Sequence, residues 1–330
     1  MVERFGVVGL GRMAQALLFP LLESGLLQRS GVRAAVASST SAERLAAEHG
    51  LMVSTDPRQA WAAPVVLLAV KPQQLEAVAA QAAELSAPLR SQPPPGFSGT
   101  ARSEPQGGAV AAAQTPARHG AAQADATGPD GAPGAVTAMA AIEASAPEAL
   151  SHAAPLLISV LAGVRLERLQ RLFPGWRCVR AVPNTPCLVR QGLTGLAWGE
   201  GIDPERQRWV RELFALVGAV HELPESQLDG FLALTSSGPA FVALVAEAMA
   251  DGAVAAGLPR ALALELAHRT LAGTAALLQE RQLHPAALKD MVSSPAGTTI
   301  AGLRQLERGG LRSALLEAVL AAAERSRALG

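Results

Sequence analysis

A short apolar run from Phe5 to Gly9 leads straight into Gly9-Leu10-Gly11-Arg12-Met13-Ala14, and a helical pattern opens at Arg12. Few folds accept that order. A buried strand, a G-x-G-x-x-A turn and a helix start form the first half of a βαβ unit that seats a dinucleotide on a helix N-terminus. Each small residue has its own reason to be small. Gly9 permits the tight turn, Gly11 lets a pyrophosphate approach the backbone, and Ala14 lets helix and strand pack closely.

The alternation continues with a strand at Val32 to Ala37, a helix from Ser41 to His49 with Ser41 as N-cap, a third strand at Pro64 to Val70, and a helix from Gln73 to Leu85. This grammar predicts an α/β Rossmann domain, a parallel-type sheet with helices on both faces. From about 87 to 154 it stops. Ala, Gly, Pro, Ser and Gln dominate there without a period of 2 or 3.6, so the segment reads as a long disordered insertion. At Leu156 the strands resume, followed by a helix at Leu166 to Leu172, strands at Arg177 to Val182 and Leu193 to Trp198, a helix from Pro204 to Leu216 capped by Asp203, and a strand at Ala219 to Leu223. The insertion therefore lies within one dinucleotide-binding domain, 1–223.

Residues 224–330 carry helical patterns only, at Pro239 to Ala256, Arg260 to Glu280, Pro285 to Val292, Thr298 to Glu307 and Leu311 to Ala328. The first of these is apolar nearly all round, interrupted by Glu247 and Asp251, and so demands burial on several sides. A small all-α domain achieves that by packing against a second copy, which predicts a homodimer or higher homo-oligomer.

Charge and cysteine usage narrow the partners. With 28 basic and 28 acidic residues the formal net charge is zero, which argues against nucleic acid. Cys178 and Cys187 form neither a disulfide framework nor a C-x-x-C pair, so a reducing cytoplasm is expected and a metal site is not. No run approaches the ~18 uninterrupted apolar residues of a membrane span. The opening Met1 to Arg4 lacks the pattern of a secretory leader, and no membrane partner is expected.

Two further clusters bear on chemistry. An NAD site usually places Asp or Glu at the end of the second strand, but here that end reads Ala37-Ser38-Ser39-Thr40-Ser41. Hydroxyls without a carboxylate favour a 2′-phosphate, with Arg12 or Arg44 as its cation, so NADPH is expected and NADH is the alternative cofactor. In the helical half, the small-residue turn Ser293-Ser294-Pro295-Ala296-Gly297 feeds a helix start at Thr298. Free backbone N–H groups at such a start receive a carboxylate, and Thr298 and Thr299 add hydroxyls; an ordinary capped helix start has the same appearance. Lysine survives only at Lys71 and Lys289, and asparagine only at Asn184, in a chain that otherwise uses arginine.

Taken together the motifs resemble the pyrroline-5-carboxylate reductases. The resemblance rests on the glycine fingerprint, Ala69-Val70-Lys71-Pro72, Ser159-Val160-Leu161-Ala162-Gly163-Val164, Arg180-Ala181-Val182-Pro183-Asn184-Thr185-Pro186, Ser237-Gly238-Pro239-Ala240-Phe241, Gly257-Leu258-Pro259-Arg260 and Leu288 through Gly302. In order and spacing these cover everything but the insertion. The resemblance implies a Rossmann domain followed by an all-α dimerisation domain, and reduction of 1-pyrroline-5-carboxylate to L-proline by NAD(P)H, the last step of proline biosynthesis. By similarity the cofactor is held by Val8, Gly9, Leu10, Gly11, Arg12, Met13 and Ala14, by Ser39 and Asp56, by Ala69, Val70, Lys71 and Pro72, by Val160, Leu161 and Ala162, and by Asn184. Glu225, Gly297, Thr298 and Thr299 would face the substrate, with Thr299 as the catalytic residue at the ring nitrogen.

Some positions depart from the family pattern. Arg12 stands where Asn or Gln is usual, Asp56 where Asn often sits, and Met291 where some members place Asn. Ala296 replaces the first glycine of a Ser-Pro-Gly-Gly turn, which matters if that position needs a positive φ. A β-hydroxyacid dehydrogenase would need a lysine on the long helix after Ser237-Gly238, and none follows; a ketol-acid reductoisomerase would need clustered carboxylates beyond Glu247 and Asp251. The reading kept beside the reductase is a non-catalytic NADP-binding scaffold or regulator of the same fold.

Overall fold

The computed structural model describes residues 4–90 and 154–329. Its strands are β1 (Phe5–Val8), β2 (Val32–Ala35), β3 (Met52–Ser54), β4 (Val65–Leu68), β5 (Leu156–Ser159), β6 (Arg177–Val182), β7 (Gly192–Trp198) and β8 (Gly218–Glu222). They form one sheet in the order β3-β2-β1-β4-β5-β6-β7-β8. β1, β4 and β5 are buried throughout, which is why they read as continuous apolar runs without alternation.

Every neighbouring pair from β3 to β6 is parallel. β7 runs antiparallel to β6, and β8 parallel to β7. The reversal follows from the connection, because Pro183 to Gln191 holds only a 3₁₀ turn at Thr185–Val189, whereas a parallel crossover needs a dozen or more residues.

Helices α1 (Arg12–Glu23), α2 (Ser39–His49), α3 (Arg58–Trp61), α4 (Leu75–Arg90), α5 (Leu166–Leu172) and α6 (Pro204–Ala215) flank the sheet. One core gathers Leu17, Leu21, Trp209 and Phe214, the other Trp61, Leu75, Leu169 and Phe173. Asp203 caps α6 as expected, accepting from the Arg206 N–H at 2.9 Å.

Other expectations need correction. The N-cap of α2 is Ser38, not Ser41: Ser38 has extended backbone, and its Oγ accepts from the Ser41 N–H at 3.3 Å. The two serines lie three residues apart, so each could open the same pattern, and the extended conformation decides between them. α4 runs beyond Leu85 to Arg90, while 91–153, the bulk of the expected insertion, lies outside the described residues. β3 and α3 carried no sequence signal strong enough to be expected.

After Leu223 the chain is helical: a 3₁₀ turn at Glu225–Gln227, then α7 (Leu228–Thr235), α8 (Gly238–Ala255), α9 (Arg260–Glu280), α10 (Pro285–Met291), α11 (Thr298–Arg308) and α12 (Leu311–Leu329). α8 and α9 pack on each other, whereas α12 returns to lie along α7. Its last residue, Leu329, sits against Gly163 at the end of β5, leaving no room for a Cβ there. By length and composition the stretch Glu225–Ala255 passes for a bilayer-crossing helix, although Asp229, Glu247 and Asp251 interrupt it. It is broken into α7 and α8 at Ser236-Ser237, and its exposed apolar side chains include Leu234, Val242 and Leu244, the last 66% exposed.

Candidate active site

Strand order places the expected cofactor residues along one edge. Gly9 follows β1, Ser39 begins α2 after β2, Asp56 follows β3, Ala69 to Pro72 follow β4, Val160 to Ala162 follow β5, and Asn184 follows β6. All six segments lie at carboxyl ends of parallel strands. β1 sits between β2 and β4, so the chain switches direction there, and in open α/β sheets ligands bind at that switch.

The fingerprint has the geometry its residue types require. Gly9 has φ +89°, and a Cβ on it would meet the Ala69 carbonyl oxygen at 2.7 Å. At Gly11 a Cβ would meet nothing within 4 Å, so the space over the N-terminus of α1 is open to a ligand. No acidic residue occupies the first turn of α1. A pyrophosphate fits this cradle: free N–H groups, a favourable helix dipole and no competing carboxylate.

At the end of β2 the residues are hydroxylic. The Ser38 hydroxyl donates to Ser41 Oγ at 2.9 Å, whereas Ser39 and Thr40 are exposed. Arg44 pairs with Glu48 at 2.8 Å. Asp56 pairs with Arg58 at 2.6 Å, and that hydrogen bond holds its carboxyl below the usual range. Asp56 also borders a cleft of about 260 Å³ along β3.

Two expected site residues are tied into the fold by long-range bonds. Asn184 is buried, with its Oδ1 accepting from the Leu193 N–H and its Nδ2 donating to the Thr235 carbonyl. Glu225 Oε1 accepts from the Leu166 N–H at 2.7 Å and from Arg180 Nη1 at 3.1 Å. Arg180 is buried and also reaches Asp229 at 3.4 Å. Arg180 stands in the sequence only as the first residue of a family-like motif and Asp229 in none, because the partners that join them lie 45 and 49 residues apart.

The turn before α11 has φ +57° at Ala296, the conformation that a glycine would adopt without strain. The Gly297 N–H is used, donating to the Ser294 carbonyl at 3.0 Å. Helix geometry leaves the N–H groups of Thr298, Thr299 and Ile300 without intrahelical acceptors, and among the described residues no side chain caps this start. Ser293 Oγ is enclosed beside the turn without a hydrogen-bond partner among the described residues. A groove of about 500 Å³ opens between α10 and α11, lined by Lys289, Gly297, Ile300 and Arg304 among others, on the side of α11 away from Thr298 and Thr299.

A sheet with this order, ending at an open glycine cradle, defines a Rossmann-type protein with the dinucleotide fingerprint. Residues 4–89 match the family profile described as NADP oxidoreductase coenzyme F420-dependent, and residues 225–329 match pyrroline-5-carboxylate reductase dimerisation. The chain is 46% identical over 188 residues to the pyrroline-5-carboxylate reductase of Thermus thermophilus, covering 57% of this chain and 71% of that one. It belongs to the pyrroline-5-carboxylate reductase family. Against the Synechocystis member it is 51% identical over 176 residues, 53% of this chain and 66% of the relative. The match thus spans slightly less than two thirds of the Synechocystis and Methanosarcina acetivorans relatives, 66% and 65%. Among solved structures, a pyrroline-5-carboxylate reductase from Coxiella burnetii aligns with TM-score 0.69 at 26% identity, covering 100% of this chain and 99% of that one. The Plasmodium falciparum pyrroline carboxylate reductase, solved with NADP bound, aligns with TM-score 0.74 at 22% identity over 99% and 98% of the two chains, a likeness of fold.

Proposed function

We propose that this chain reduces 1-pyrroline-5-carboxylate to L-proline, using NADPH in preference to NADH. One observation carries the reading: the glycine cradle and the uncapped start of α11, with its three free N–H groups and the Thr299 hydroxyl, occur in one chain of this family. The cradle at Gly9 to Ala14 and the segments Ala69 to Pro72 and Val160 to Ala162 would hold the cofactor, which supplies a hydride when bound. The substrate is an electrophilic cyclic imine, so the protein's task is chiefly orientation. The Thr298, Thr299 and Ile300 N–H groups bind its carboxylate, and the Thr299 hydroxyl meets the ring nitrogen.

We assign cofactor binding to 1–223, and substrate binding with dimerisation to 224–330. Apolar side chains stand bare on α8, α9, α11 and α12, and Leu188 and Val189 stand bare beside the carboxyl edge of the sheet. A second copy laid across the bare helical faces would bury them, which suits the dimerisation assignment. Two free thiols and the chemistry of proline synthesis suit the cytoplasm.

The test is NADPH oxidation by the purified protein with and without pyrroline-5-carboxylate, repeated with NADH. Substrate-dependent oxidation with a higher kcat/KM for NADPH is expected. Cofactor binding without substrate-dependent oxidation would instead identify a scaffold, and an NADH preference would reverse the cofactor assignment.

A further inference from the structure

Resting on the NADPH reading above, we infer that Arg12 is the side chain that distinguishes the 2′-phosphorylated cofactor from its unphosphorylated counterpart. The adenosine ribose of a Rossmann cofactor is read at the carboxyl end of β2. Here that end presents hydroxyls. Ser38 and Ser41 are occupied with each other, leaving Ser39 and Thr40 as the exposed pair.

A phosphate monoester dianion also needs a cation, and the arginines around β2 and β3 are nearly all committed. Arg29 donates to the His49 carbonyl at 3.1 Å, and Arg33 donates to the Ser30 and Val32 carbonyls. Arg44 is held by Glu48, and Arg58 by both oxygens of Asp56. Arg12 is exposed and, among the described residues, has neither an ion pair nor a side-chain hydrogen bond.

Arg12 is also rooted in the right place. It is the first residue of α1, three positions after Gly9, whose N–H donates to the Ala35 carbonyl of β2 at 2.9 Å. The other cations on the carboxyl edge are more distant. Lys71 follows β4 and Arg165 follows β5, two and three strands from β2 in the sheet. At a spacing of about 5 Å per strand those offsets are roughly 10 and 15 Å. A guanidinium with two neighbouring hydroxyls suits a dianionic phosphate, since it brings charge and several donors at once. An Asn or Gln in its place would bring donors without charge.

Isothermal titration calorimetry without substrate tests the inference on nucleotide fragments. Wild type, Arg12→Asn and Arg12→Lys would each be titrated with adenosine 2′,5′-bisphosphate and with adenosine 5′-monophosphate. Wild type is expected to prefer the bisphosphate. Arg12→Asn should cut that preference by about ten- to a hundredfold, the size of one charge-assisted contact, and Arg12→Lys should restore part of it. Added salt should weaken the preference more in wild type than in Arg12→Asn. If wild type shows no preference, the NADPH reading itself fails. If wild type prefers the bisphosphate and Arg12→Asn retains the full preference, NADPH stands and Arg12 does not read the phosphate.

Discussion

Ser326 of α12 donates its hydroxyl to Asp229 of α7 at 2.7 Å, and both side chains are buried. Asp229 is left with Arg180 at 3.4 Å if that hydroxyl is removed. Ser326→Ala should therefore lower the unfolding free energy by about 1–2 kcal/mol, the cost of an under-satisfied buried acceptor. Urea unfolding at fixed protomer concentration measures it, and an unchanged midpoint would show that the bond contributes nothing.

Asn184 serves as acceptor and donor at once, which a carboxylate does not. Asn184→Asp keeps the bond from the Leu193 N–H but sets a buried charge against the Thr235 carbonyl. The expected loss is about 2–3 kcal/mol, from the lost bond and the desolvated charge together. Thermal unfolding reads the change, and the loss should shrink at low pH, where the carboxyl is protonated.

Ala296 at φ +57° carries strain that glycine avoids. Ala296→Gly should stabilise the fold by about 0.5 kcal/mol, once the greater freedom of glycine in the unfolded chain is subtracted. Ala296→Val should destabilise it by more than that, since a β-branched residue tolerates this region poorly. A stabilising valine in the same denaturation series would contradict the backbone conformation.

Thr299→Val removes the hydroxyl and nearly keeps the shape. A fall in kcat/KM of about ten- to a hundredfold is expected, with unfolding midpoint and NADPH affinity unchanged, if the hydroxyl makes the hydrogen bond to the ring nitrogen proposed above. Steady-state kinetics equal to wild type would remove Thr299 from the mechanism.

Burial pushes the Cys178 thiol from its ordinary 9.0 up to about 12, and burial raises Cys187 as well. Below about 9 both states hold a neutral thiol, so the stability is fully present. Above it the unfolded chain ionises first, and stability falls until the folded thiol ionises too, with a slope of about 1.4 kcal/mol per pH unit from Cys178. Denaturation between pH 9 and 12 should show the decline, and Cys178→Ala should flatten it.

The parts of this structure written in local sequence were legible. β1, the glycine turn and α1 depend on residues within one stretch, and so do the cap at Asp203 and the helix at Arg260–Glu280. What escaped was either short or distant. β3 has three residues with only Val53 half-buried, so its edge position left little apolar pattern to read. In α7 the sequence Leu228-Asp229-Gly230-Phe231 weakens helix propensity, and the helix is held by α12, whose approach no local pattern reveals. The partners of Glu225 were hidden for the same reason. No local pattern around Glu225 announces Leu166 or Arg180, which the fold brings beside its carboxylate.

Because α12 comes back to α7 and Gly163, the helices from α8 to α11 are not a pendant joined to the sheet by one strap. They form an excursion that leaves and re-enters the same body, fastened at both feet. A segment anchored at two points cannot swivel freely as one on a single hinge does, so the start of α11 is presented with a nearly fixed offset from its own sheet. Any movement of that helix start would then come as flexing within the excursion, while the two feet stay planted.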